Sequence, residues 1–129
     1  MTAVLLDTHA WVWSFADDHL LSDPARKAIG AADAVFVSPI SFFEIGQKVR
    51  IGKWPEMAPM IDDLPRILSD QGGLVAPMTP QICLRAATWE WTHRDPFDRL
   101  IAATAEQSEL TLVTVDAAFD QLPGIRIAW

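Results

Sequence analysis

The sequence predicts a three-layer α/β/α fold built on a parallel sheet. Two observations point to it. Short runs of β-branched residues and Leu, apolar on both faces, recur along the chain, and stretches carrying helix-start signals stand between them. Strands buried on both sides read as unbroken apolar runs, and parallel strands need crossover connections, usually helical and normally right-handed.

Ala3 to Leu6 is the first such run, followed by Ala34 to Val37, Leu74 to Ala76 and Leu112 to Val115, with Ile125 to Ala128 as a fifth; a sheet of four to five strands is expected. Helix starts are marked by Asp23-Pro24 before Ala25 to Ala32, Thr79-Pro80 before Gln81 to Trp91, and Asp95-Pro96 before Phe97 to Ser108. Each places an N-cap side chain before Pro at the first helical position, where a missing N–H costs nothing. From Lys53 to Asp70, Pro55, Pro59 and Pro65 interrupt any long helix, so a loop and one or two short helices are expected.

The 129 residues are half apolar and about a fifth charged (50% and 21%), which fits one folded domain spanning 1–129. Met1 to Leu6 is too short for a signal peptide core, and no apolar stretch approaches a membrane span, so a soluble cytoplasmic protein is expected. A lone cysteine, Cys83, excludes a disulfide framework and a multi-cysteine zinc site; its amphipathic surroundings read as core. Ten basic against 17 acidic side chains give a net charge of -7, which by itself counts against a nucleic-acid partner. Where those acids sit matters more than their number.

Ligands of open α/β sheets bind beyond the carboxyl ends of the strands. Asp7 ends the first strand in Val4-Leu5-Leu6-Asp7-Thr8, and Asp116 ends the fourth in Leu112-Val113-Thr114-Val115-Asp116. Either could simply cap the turn that follows, but the same device used twice suggests a site if those strands are neighbours. Glu44 allows two readings. With Ser41 it has capping-box spacing; with a helix starting at Ser38-Pro39 it lies inside the helix, an acid among apolar residues. Near Asp98, the Asp95-Pro96 pair makes Asp95 the N-cap and leaves the Asp98 side chain available on the first turn, the alternative being that both acids serve only the helix start.

Four carboxylates brought together would repel by roughly 3 kcal/mol per pair at about 5 Å and an effective dielectric near 20. Relief comes from protonation or from a bound cation. An all-oxygen set selects Mg²⁺ or Mn²⁺ over zinc, and such ions lower the pKa of bound water and stabilise in-line displacement at a phosphodiester.

Read together, Leu6-Asp7-Thr8-His9 with Trp13, Ser41-x-x-Glu44-Ile45 with Lys48, His93-Arg94-Asp95-Pro96-Phe97-Asp98-Arg99-Leu100-Ile101-Ala102, and Leu112-Val113-Thr114-Val115-Asp116 resemble a PIN-domain ribonuclease of the VapC toxin type over essentially the whole chain. The resemblance implies a sheet order of 3-2-1-4-5. It implies an endoribonuclease whose Mg²⁺ or Mn²⁺ site is formed by the acids matching Asp7, Glu44, Asp98 and Asp116, with a hydroxyl matching Thr114 in support. It also implies a homodimer and a cognate VapB-like antitoxin whose C-terminal segment occupies the groove. Ala103-Thr104, where many relatives carry Gln-Ala, is a modest departure.

An RNA substrate needs positive charge near the groove. Lys48, Arg50 and Lys53 follow Glu44, and Arg94 and Arg99 flank Asp98; Lys48, Arg50 and Arg94 are the substrate-binding candidates. Arg99 and Thr8 are taken as supporting residues, although Arg99 lies about 100° round the helix from Asp98. Ordinary solvated ion pairs are the alternative for each base. The six Trp, with Trp11, Trp13, Trp89 and Trp91 paired along the chain, read first as core or interface and second as stacking surfaces for bases. His9 and His93 are left as structural or substrate-orienting. Two other functions compete with this one. Aspartyl-phosphate transfer wants a second acid two positions after Asp7, where His9 stands, and a non-catalytic binding module would be expected to have lost one of the four acids.

Overall fold

Successive side chains of a strand leave on opposite faces, and β1 (Ala3–Leu6) thereby serves two cores. Val4 and Leu6 pack with Trp11, Val37, Ile45, Leu64 and Leu68 on one side of the sheet, while Leu5 packs with Ile101, Leu112 and Phe119 on the other. This is the two-sided burial that the unbroken apolar runs predict.

The structure, a computed structural model, describes residues 2–129. Met1, part of the N-terminal run weighed against a signal peptide, lies outside the described residues. The strands are β1, β2 (Ala34–Val37), β3 (Leu74–Val75), β4 (Thr111–Val113) and β5 (Ile127–Ala128). All pair in parallel, in the order β3-β2-β1-β4-β5, as the resemblance implies. The helices are α1 (Thr8–Ala16), α2 (Asp23–Ala31), α3 (Pro39–Arg50), α4 (Leu64–Asp70), α5 (Pro80–Thr88) and α6 (Pro96–Gln107), with 3₁₀ segments at Asp18–Leu20, Pro55–Asp63 and Ala117–Gln121. The proline-rich stretch folds as the 3₁₀ segment and α4, in line with the short helices expected there. No helix among the described residues is long and apolar enough to cross a membrane.

Several boundaries differ from the sequence expectation, each for a physical reason. The α2 cap is Ser22, whose hydroxyl accepts from the Ala25 N–H at 3.1 Å, and Asp23 is already helical. Ser22→Ala should therefore cost about 1 kcal/mol in urea unfolding and Asp23→Ala clearly less. β4 stops at Val113 because the Thr114 hydroxyl turns inward and accepts from the Asp116 N–H, so Asp116 lies beyond the strand rather than at its end. α5 ends at Thr88 rather than Trp91, since the carbonyls that follow turn toward the Arg99 guanidinium. Cys83 is exposed and not core; the buried residues of its helix are Ile82 and Ala86.

Candidate active site

Neighbouring strands β1 and β4 set the site. Leu6 pairs with Val113 and the Asp7 N–H donates to the Val113 carbonyl at 3.1 Å, so Asp7 and Thr114 leave the sheet side by side. One Asp7 oxygen caps α1 by accepting from the Ala10 N–H at 2.8 Å, and the other accepts from the Thr114 hydroxyl. Capping and a place on the cavity wall, read as alternatives in the sequence, are held by one carboxylate. Burial pushes the Asp7 pKa up, against the lowering effect of those two hydrogen bonds.

Glu44 comes from α3, which begins at Ser38 with Pro39 in its first turn, so the capping box with Ser41 does not form. The Ser38 hydroxyl instead accepts from the Ile40 N–H. Only 4% exposed, Glu44 accepts from the Thr8 hydroxyl at 2.6 Å and from Lys48 Nζ at 2.6 Å. Ser41, fully buried, lies 2.9 Å from the Thr8 hydroxyl. Thr8 and Ser41 therefore tie α1 to α3 directly behind the acid.

On α6, Asp95 is the cap, accepting from the N–H groups of Phe97 and Asp98, and leaves the Asp98 side chain free to face the cavity. Burial, together with the charges of Asp95 and Asp116, outweighs the lowering effect of the His93 hydrogen bond and raises Asp98 to about 6. His93 Nε2 lies 2.7 Å from Asp98 Oδ2. Ligand atoms of His93, Asp98 and Asp116 all fall within 4.8 Å of one another. Asp116 also caps the 3₁₀ segment through the Ala118 N–H.

Asp7, Thr8, Glu44, Lys48, Asp95, Asp98 and Asp116 line one cavity of about 380 Å³ beyond the carboxyl ends of β1 and β4. Its carboxylates come from two strand-end loops and two helices, and burial, with a smaller push from neighbouring acids, raises the pKa of Asp7 and of Asp98. That gathering, with oxygen as the dominant donor, fits a hard divalent cation such as Mg²⁺ or Mn²⁺. Of the basic residues, Lys48 is in the cavity, while Arg50 and Arg94 are exposed and off its walls. Arg99 faces away from it: its guanidinium donates to the carbonyls of Ala86, Trp89, Trp91 and His93, which makes it a clamp on the loop leading into α6 and not a phosphate contact. The sequence reading gave His93 no place in the cluster, and for Ser41 it offered only the capping box as one of two alternatives. The five-residue spacing from His93 to Asp98 across the α6 start is the one local signal that could have placed the histidine.

The PIN domain family matches residues 4–125. Ribonuclease VapC22 of Mycobacterium tuberculosis is 35% identical over 117 residues, covering 90% of this chain and 88% of that protein. Among solved structures, VapBC2 from Rickettsia felis, bound to a DNA fragment from its promoter, aligns with a TM-score of 0.69 at 18% identity, covering 98% of this chain and 97% of that one. DNA-bound VapBC from Salmonella typhimurium aligns with a TM-score of 0.66 at 20% identity, over 98% and 97% of the two chains. With the sheet order, the acid-lined cavity and this near full-length match in agreement, the chain belongs to the PIN domain family, among its VapC-type members.

Proposed function

We propose that this chain is a single-domain, cytoplasmic endoribonuclease, dependent on Mg²⁺ or Mn²⁺, that serves as the toxin of a toxin–antitoxin pair. The observation that carries the reading is the gathering of Asp7, Glu44, Asp98 and Asp116 around one cavity at the carboxyl edge of adjacent parallel strands. Family membership and the ribonuclease relative support the RNA substrate. Likeness to VapBC assemblies supports a VapB-like antitoxin, and a homodimer is the expected assembly.

Asp7, Glu44, Asp98 and Asp116 would hold the cation, which when bound supplies charge to stabilise a phosphodiester's in-line displacement and acidifies water at the site. The chain's own residues hold these acids ready. Thr114 and the Ala10 N–H orient Asp7, Thr8 and Lys48 orient Glu44, and His93 orients Asp98. Partners of this kind fix the direction in which a ligand atom points. Lys48 adds positive charge beside the acids, and Arg50 and Arg94 would meet phosphates flanking the cut.

The test is to incubate purified protein with total cellular RNA and Mn²⁺ and map the new 5′ ends. Discrete cuts that vanish with excess EDTA and return on adding Mn²⁺ are expected. RNA left intact under every metal condition, with the protein folded, would overturn the reading.

A further inference from the structure

We propose that His9 and Trp13 form a nucleobase-stacking subsite on the wall of the acidic cavity, taking an unpaired base of single-stranded RNA beside the phosphate to be cut. The proposal rests on the ribonuclease reading and adds to it a surface for the base.

Helical spacing separates the aromatic residues of α1 into two sets. Trp11 turns into the core, is 0% exposed, and donates its indole N–H to Gln71 at 2.9 Å. His9 and Trp13, four residues apart, share another face, and both line the cavity with the four carboxylates. His9 is exposed and Trp13 half-buried. Behind them the rings continue: His9 stacks on Trp54 with centroids 4.9 Å apart and planes 23° from parallel, and Trp13 lies 5.8 Å from Trp129. Lys48 joins the two halves, with its ammonium 2.6 Å from Glu44 and 5.7 Å from the Trp54 ring centre.

Charge explains why this wall is needed. The chain carries -7 overall, Lys48 is the one Lys or Arg lining the cavity among the described residues, and it is already paired with Glu44. Within the cavity, basic side chains therefore contribute little phosphate affinity, leaving that to the cation and to Arg50 and Arg94 outside it. Stacking on a π-face is indifferent to that charge, and unpaired RNA bases are commonly held on Trp and His rings. A base locked in a duplex cannot reach such a wall, so the subsite selects single-stranded loops and ends.

The experiment is steady-state cleavage of a short unstructured fluorogenic RNA with Mn²⁺, comparing wild type, Trp13→Leu, Trp13→Phe and His9→Ala. Trp13→Leu should raise KM about tenfold with kcat within about twofold, and Trp13→Phe should recover most of the loss. His9→Ala, an exposed position that does not threaten the fold, should raise KM about fivefold and decides the matter if Trp13→Leu does not fold. Mn²⁺ affinity by calorimetry should match wild type in all three. A wild type that cuts with KM unmoved by these changes overturns the subsite alone. A loss confined to kcat, or one that Trp13→Phe does not repair, also overturns it. A wild type that cuts no RNA removes the ribonuclease reading and the subsite together.

Discussion

Asp98→Asn is expected to lower RNA cleavage at least about 100-fold and at the same time to make the metal-free protein more stable at neutral pH. The loss follows if Asp98 holds the cation as proposed, because an amide replaces a carboxylate there. The gain follows from what burial does to that carboxyl. Asp98 has a pKa of about 6 in the folded chain against an ordinary 3.8, so the folded state holds the proton more tightly than the unfolded one. Folding therefore takes up a proton between those values, and metal-free stability falls as pH rises from about 4 to about 6. Above that window the whole penalty is present, about 2–3 kcal/mol for a side chain 18% exposed. The Asn variant escapes it, so its advantage in thermal or urea unfolding should be full at pH 7 and vanish near pH 4. Mn²⁺ should reverse the order at pH 7 by stabilising wild type more than the variant. An Asn variant less stable than metal-free wild type at pH 7 would show that the cavity does not strain its acids.

Arg99→Met should destabilise the protein by about 4 kcal/mol or more and should also impair cleavage, without touching the cavity. Arg99 Nε donates to the Ala86 carbonyl at 2.7 Å, and the two terminal nitrogens donate to Trp89, Trp91 and His93. Met matches the length of the stem and leaves four carbonyls without a partner, each worth about 1 kcal/mol or more when shielded from water. Because His93 belongs to the clamped loop and contacts Asp98, loosening the loop should lower kcat as well as stability. Arg99→Lys, a point charge without the planar fork, should recover only part of both. Urea unfolding and kcat measured on the same preparations check the pairing of the two losses.

The local signals were read where they were purely local. β1 and β2 span the residues expected, because a run such as Ala34–Val37 is apolar on both faces and bounded by polar residues. Thr79 and Asp95 cap the helices their following prolines announce. Misreadings arose where a distant group decides the outcome. Thr114 and Val115 are β-branched and continue the strand pattern, yet Thr114 leaves the ladder for Asp7, more than a hundred residues earlier in the chain. Trp89 and Trp91 extend an apolar rhythm that stops because Arg99 collects their carbonyls. At the site, Asp7, Asp98 and Asp116 stand out in the sequence because acids just after strands or in a first helical turn are conspicuous, and Glu44 because it is an acid among apolar residues inside a helix; all four line one cavity. His93 was not, since its meaning depends on a contact across a loop.

Asp7 also bears on how such a chain can change over generations. One of its oxygens fastens the start of α1 and the other fastens the loop after β4, so the residue is a structural joint as well as a cluster member. A replacement without a capping oxygen would loosen the helix that carries His9 and Trp13. A lineage drifting toward an inactive form would meet less resistance at Asp98, whose removal relieves a strained charge. Chains of this type that have lost activity while keeping their fold should show the loss at Asp98 before Asp7.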